Sequence, residues 1–308
     1  MHASPEEATM PLATPFASFA RLILLAAIWG ASFLFLRIGV PVFGPGKLIV
    51  LRVGIAAIFL LGVAHFVKKR LPWRGNISRF FIMGLLNSGL PFVLYAFAAQ
   101  KLNASLLSIV NATAPIFGAV VAAVWLRTPL TRTALAGLAI SFAGVTLIVG
   151  TSAGTHGDGW WLAILAALCA PLCYAFATSY ARKHATDISA FDQSHGSMWA
   201  ATIAVLPLAL FSPIRQTPGL HDWLSVLALA VVCTGWAFMI FFRLVDEIGP
   251  ARTLTVTFLI PVFGVLWGTL FLGEQVTAWM LIGGLIVLLG TALANGLIKP
   301  PAASRKST

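Results

Sequence analysis

Charge is what this sequence has least of. Only 9% of its 308 residues are Asp, Glu, Lys or Arg, where a soluble domain carries about 25%. A chain so poor in charge cannot cover itself with a water-facing surface, which excludes a soluble globular enzyme. An apolar share of 59% likewise excludes a disordered tail protein. Cysteine is almost as scarce. Cys169, Cys173 and Cys233 all fall inside apolar runs, with no His at ligand spacing. That excludes a disulfide framework or a zinc site, so they read as small packing residues. There is no Gly-x-Ser-x-Gly elbow, no His-Glu-x-x-His, no pair of aspartates and no Walker-type phosphate loop. An intramembrane enzyme or an ATP-driven pump would need one of these, and no cofactor or metal is expected. The first residues also lack the positive segment and small-residue cleavage site of a secretory signal. Residues 1–18 are therefore expected to be a tail before a retained first span.

What the sequence has in abundance is long apolar runs, with a mean hydropathy of +0.94. A hydrocarbon core about 30 Å thick needs about 20 helical residues to cross it. Stretches free of charged side chains cover residues 80–100, 102–126, 133–157, 159–181, 223–242, 253–273 and 275–298. Residues 191–211 make another, with Asp192 at its edge. Two earlier segments, 20–40 and 47–67, are apolar but carry Arg37 and Arg52. Together they predict an all-α integral membrane protein with ten transmembrane helices. Nothing alternates with period two, so a transmembrane β-barrel is not expected.

The net charge of +11 comes from 20 basic against 9 acidic residues. The basic residues lie between apolar runs, not along one face, so they point to a lipid bilayer and not to nucleic acid. With the N-terminus inside, Arg21, Lys68, Lys69, Arg70, Arg74, Arg79, Arg127, Arg132, Arg182, Lys183, Arg243, Arg252, Lys299, Arg305 and Lys306 all fall on the inner side. The outer side keeps Arg37, Lys47, Lys101 and Arg215. This bias predicts a multi-pass inner (plasma) membrane protein with both termini cytoplasmic.

The chain also matches itself. A shift of 146 residues lays Asn103–Gly144 over Gly249–Gly290 without a gap, with Pro115-Ile116-Phe117-Gly118 on Pro261-Val262-Phe263-Gly264. Further on, Leu126, Thr131, Leu135, Gly137, Ile140 and Gly144 meet Leu272, Thr277, Leu281, Gly283, Ile286 and Gly290. A shift of 145 sets Trp29…Arg37 over Tyr174…Arg182. The unit holds five spans, an odd number, so the second copy must lie inverted relative to the first. Inverted repeats around a midplane site are a recurrent plan of secondary transporters. A duplicated scaffold or receptor is the alternative.

Polar groups inside spans are costly and so mark candidate sites. Arg52 could anchor a substrate carboxylate or phosphate in bidentate fashion, or snorkel to the outer headgroups. Arg37, nearer a span end, is expected to snorkel. Ser108, Asn111 and Pro115 share one helical stripe; the matching positions in the second repeat are Leu254, Thr257 and Pro261, with Thr253 and Thr255 nearby. Each Pro removes a backbone hydrogen bond and crowds the carbonyl of Asn111 or Thr257. Those side chains could line a path or merely satisfy a kinked backbone. Asn87 and Tyr95, with Trp29, Tyr174 and Trp236, could supply polar tips and aromatic walls for an amphipathic small molecule, the last three otherwise belonging to an interfacial belt. No acidic residue lies at a span centre, which argues against a midplane proton relay. His195 reads as structural. Glu274 is expected to accept backbone donors at the start of the last span.

These residues resemble the EamA-type transporters of the drug/metabolite transporter superfamily. The resemblance rests on Ile28-Trp29-Gly30-Ala31-Ser32-Phe33 with Arg37, Leu51-Arg52, Leu102-Asn103-Ala104-Ser105, Ala114-Pro115-Ile116-Phe117, Ile248-Gly249-Pro250-Ala251-Arg252 and Leu272-Gly273-Glu274-Gln275-Val276-Thr277. It covers about residues 18–298, as a first repeat at 19–150 and a second at 159–298, followed by a cytoplasmic tail at 299–308. The first repeat departs from the pattern, having Arg127-Thr128 where the second has Gly273-Glu274. Tyr174 also stands where that family often has Trp. The resemblance implies ten helices around a central cavity that moves small metabolites, often outward. Known cargoes of the family include amino acids, nucleotide-related compounds and drugs.

Overall fold

The computed structural model describes residues 15–152, 157–185 and 187–297. The expected tails fall almost wholly outside that range. Every regular element among the described residues is helical. The first, α1 (Pro15–Phe66), runs for 52 residues, but Gly44 at φ 69° and ψ 161° breaks it between Pro41 and Pro45. Gly39 packs against the Leu48 side chain, a pair that a continuous helix would hold about 13 Å apart. The chain therefore turns back at Gly44, a backbone conformation open to glycine alone. The first two expected spans are the two arms of this hairpin.

Helices α2 (Ile77–Gly84) and α3 (Leu90–Ala98) are joined by a π-helical turn over Leu85–Gly89. The next passage, α4 (Ala104–Asn111) and α5 (Ala114–Trp125), breaks just ahead of Pro115. Then follow α6 (Arg132–Ser152), α7 (Trp160–Lys183) and α8 (Ala190–Leu210). A second π-helical stretch, Ala228–Trp236, links α9 (Leu220–Leu227) to α10 (Ala237–Ile248). The short α11 (Pro250–Thr253) precedes α12 (Val256–Leu272), and α13 (Ala278–Ala294) is the last.

Among the described residues, six passages are long and apolar enough to cross a bilayer: 16–66, 77–98, 104–125, 132–150, 160–183 and 220–248. α12 and α13 are shorter apolar helices of 17 residues each. The outer surface carries large apolar side chains such as Val124, Phe142, Leu210 and Phe211, as a lipid-facing surface requires. Polar residues are turned inward: Arg52, Ser88, Ser105, Ser108, Thr234, Thr253 and Thr291 are all buried.

The two matched prolines sit differently: the chain breaks just ahead of Pro115, whereas Pro261 lies buried inside a continuous α12. The break comes earlier, at Leu254–Thr255. There Thr253, Thr255 and Thr257 turn their hydroxyls back onto the carbonyls of Gly249, Arg252 and Leu254. Such local bonds compete with the helical ladder. They move the interruption about a turn towards the N-terminus.

A close seam joins α6 to α13. A methyl group on Gly137 would lie 2.5 Å from the Gly290 carbonyl, and one on Gly144 would lie 2.8 Å from that of Gly283. Between these two crossings the Ser141 hydroxyl donates to the Val287 carbonyl at 3.1 Å. Small residues let the two backbones touch, as tightly packed membrane helices require. These glycines therefore join two halves of one chain.

Candidate functional site

Arg52, on the second arm of α1, is only 5% exposed. It does not snorkel. Its Nε donates to the Thr234 hydroxyl at 3.0 Å, and the guanidinium lies 3.6 Å from the centre of the Phe92 ring. The ion pairs among the described residues are Arg21–Glu247 and Arg243–Glu247, so Arg52 faces no carboxylate. The ionisable groups within electrostatic range of it are Tyr174 and Cys233. Its two terminal amino groups have no acceptor among the described residues. Burying a lone cation is expensive unless a counter-charge joins it.

The second π-helical stretch delivers Thr234. There the Thr234 hydroxyl donates to the Leu229 carbonyl at 2.9 Å, five residues back, which leaves its lone pairs for Arg52. Close packing holds this stretch against α1: a methyl group on Gly235 would stand 2.5 Å from the Phe59 ring. The first π-helical turn carries Asn87, half-buried, and Ser88, whose buried hydroxyl has no hydrogen-bond partner. π-Helical insertions recur at functional sites because they re-aim side chains within a helix.

Tyr95 lies one turn beyond Phe92 on α3. Its hydroxyl donates to Asn111 Oδ1 at 2.9 Å, and its ring meets Phe33 edge-on at 5.4 Å. Asn111 is thus the last residue of α4 and a partner of Tyr95 at the helix break. Tyr174 is within electrostatic range of both Tyr95 and Arg52. Trp29, one turn from Phe33, packs at 5.5 Å on Phe241 of α10. The Ser32 hydroxyl is buried. Arg52, Tyr95, Asn111 and Tyr174 are therefore brought together, with Trp29 on the adjoining aromatic wall.

The other expected residues make contacts of their own. Ser108 is fully buried, bonds to the Ser105 carbonyl, and fills the space left by Gly264 of α12. Thr253 and Thr257 are occupied with their own backbone. Pro115 begins α5 and Pro261 packs inside α12. Trp236 stands 45% exposed on the π-helical stretch, while its neighbours Cys233, Thr234 and Gly235 face inward.

Two end-of-helix residues behave unlike their expectations. Arg37 does not extend to the headgroups but donates to the Ala99 carbonyl at 2.6 Å, closing the end of α3. Glu274 does not organise the start of α13, where the Thr277 hydroxyl accepts the cap bond from Met280 N–H instead. Its carboxylate crosses to α4 and accepts from Ala104 N–H at 2.6 Å, Ser105 N–H at 3.0 Å and the Ser105 hydroxyl at 2.7 Å. A carboxylate at a helix N-terminus meets both free donors and the positive end of the dipole. The reach needs Gly268, because a methyl group there would sit 2.4 Å from Glu274 Oε2. Sequence reasoning overlooked Thr234, Phe92 and Gly268.

A many-helix bundle with an apolar outer surface and a buried cation among aromatic and amide groups is a polytopic membrane protein. The chain belongs to the EamA-like transporter family, whose profile matches residues 17–150 and again residues 161–296. It is 26% identical over 286 residues to a protein of Streptantibioticus cattleyicolor named a probable terminal-alkyne amino-acid exporter, covering 89% of this chain and 92% of that one. It is 25% identical over 279 residues to the uncharacterized transporter YvbV of Bacillus subtilis, covering 89% and 90%. One solved crystal structure superposes with a TM-score of 0.64 at 19% identity, covering 92% of this chain and 98% of the other, a likeness of fold.

Proposed function

We propose that this protein is a secondary transporter that exports small organic metabolites bearing an anionic group, amino-acid-like compounds foremost, across the inner membrane. Arg52 carries this reading. A buried guanidinium with two free amino groups matches a carboxylate or phosphate in fork-to-fork geometry. Phe92, Tyr95, Tyr174 and Trp29 offer apolar walls to the rest of the cargo, and Asn111 offers an amide. The relative named an amino-acid exporter in Streptantibioticus cattleyicolor supports the same cargo class.

The architecture behind it is ten spans in two inverted repeats, 19–150 and 159–298, with both termini in the cytoplasm. Counting the two arms of α1 separately, and adding α8, α12 and α13, gives ten passages. The α6–α13 seam supports the inversion. Under the shift of 146, Gly137 corresponds to Gly283, Gly144 to Gly290 and Ser141 to Val287. The observed contacts are Gly137 on Gly290, Gly144 on Gly283 and Ser141 on Val287. Such reciprocal pairing is the mark of a two-fold axis, which would pass between Ser141 and Val287. The matched π-helical insertions and the matched Thr131 and Thr277 caps agree with it. Two halves of nearly equal energy that exchange tight and splayed forms give alternating access.

The test is a comparison of metabolites released by cells overproducing the wild-type protein, Arg52→Gln or Asn111→Leu. An anionic metabolite enriched in the medium with wild type, and lost with Arg52→Gln at equal membrane abundance, is the expected result. Release undiminished by Arg52→Gln would overturn the assignment.

A further inference from the structure

The outside of the bundle carries a groove that shares no lining residue with the contacts of Arg52. The groove, of about 640 Å³, opens between the ends of α5 and α7, lined by Val124, Trp125, Arg127, Phe176 and Lys183. Its lining is graded along the helix axis. Val124 is 78% exposed and Phe176 40% exposed, so both turn apolar surface outward to lipid. Arg127 and Lys183 stand exposed at the helix ends. Phe176 and Lys183 are seven residues apart on α7, which is about 10 Å along the axis. That separation takes a ligand from headgroup depth into the acyl region.

One of the two cations rests on an aromatic face. Lys183 Nζ lies 5.6 Å above the Trp125 ring, and that ring packs at 5.9 Å on Phe176. Arg127 adopts a left-handed φ of 54° just after α5. Among the described residues, no acidic side chain lines the groove. Two cations above three apolar side chains, at the rim of a membrane-spanning bundle, match a molecule with an anionic head and a hydrocarbon tail.

We propose that the α5–α7 groove is a binding site for one anionic phospholipid, with its phosphate between Arg127 and Lys183 and an acyl chain along Val124 and Phe176. The two cations give selectivity over zwitterionic lipid, and the apolar lining gives selectivity over free phosphate. Trp125 joins the two parts, supporting the ammonium on its face and the acyl chain at its edge.

The detergent-solubilised full chain is examined by native mass spectrometry with added phosphatidylglycerol, phosphatidylethanolamine or inorganic phosphate. One phosphatidylglycerol is expected to be retained preferentially, with neither alternative displacing it. An interfacial cation contributes about a fivefold change in affinity, so Arg127→Gln or Lys183→Gln should each weaken retention about fivefold, and the double variant about thirtyfold. Arg182→Gln, next to the groove but outside its lining, should leave retention unchanged. A second readout uses the native cations: acyl-brominated phosphatidylglycerol should quench wild-type tryptophan emission more than that of Trp125→Phe. Equal retention of the two phospholipids, full displacement by inorganic phosphate, equal weakening by Arg182→Gln, or quenching indifferent to Trp125 would each overturn the site.

Discussion

Replacing Arg52 with Met separates a cargo-binding cation from a structural one. A guanidinium that exists to tie helices together contributes to stability, whereas one kept for an absent anion does not. The known compensation is one hydrogen bond to Thr234 and one face on Phe92. A bond from a charged donor contributes about 1.5–3 kcal/mol, and a desolvated cation–π contact about 2 kcal/mol. Against these stands a desolvation penalty of several kcal/mol for an ion without a counter-charge. Replacement by an apolar side chain of similar volume should therefore be neutral or stabilising, by up to about 4 kcal/mol. At roughly 2–4 °C per kcal/mol for a large domain, the melting temperature should stay level or rise by up to about 15 °C. Cys173 and Cys233 are buried, so a thiol-reactive fluorophore reports unfolding of the cargo-free protein in detergent. Transport should be lost at the same time. A melting temperature lowered by more than about 5 °C would refute the reasoning, because Arg52 would then be holding the bundle together.

Other consequences follow from the helix ends and the seam. Glu274→Ala should cost about 2–4 kcal/mol through its lost charge-assisted bonds to α4. Gly268→Ala should cost a similar amount in the wild type but far less once Glu274 is gone, a non-additivity measurable by a thermal double-mutant cycle. Additive losses would show that Gly268 does not serve that carboxylate. At the α6–α13 seam, Gly290→Ile should abolish folded protein by size-exclusion chromatography, while Gly118→Ala, where no atom lies within 4 Å of the added carbon, should elute as wild type. Glu247 ties Ser18 and Arg21 to the end of α10. The Arg243 side chain is 60% exposed, so Arg243→Gln should change the melting temperature by less than Arg21→Gln.

The membrane class and the helical passages were legible because each is a one-dimensional pattern: runs of apolar residues with charge at their ends. The break ahead of Pro115 was legible for the same reason, since the missing N–H is a property of that residue. The break near Thr255 was not, because it reflects three hydroxyls competing for nearby carbonyls, which Pro261 does not reveal. The target of Glu274 was hidden for a different reason. Its helix N-terminus lies about 170 residues away in sequence and is reached only because Gly268 has no side chain. Arg52 stood out as a charge in an apolar run, yet its depth, its Thr234 contact and its lack of a carboxylate depend on the packing of α1 against a π-helical stretch.

The central claim is that Arg52 reads negative charge on the cargo. It is tested most directly by binding in purified protein, once the exported compound is in hand. The free acid and its neutral amide or ester are titrated against wild type, Arg52→Lys and Arg52→Gln. The claim predicts that wild type prefers the acid by about thirtyfold or more, the equivalent of losing one partner of a buried charge pair. Arg52→Lys should keep part of that preference and Arg52→Gln should show none. Equal affinity of wild type for the acid and its neutral analogue, or a preference that survives Arg52→Gln, would contradict it.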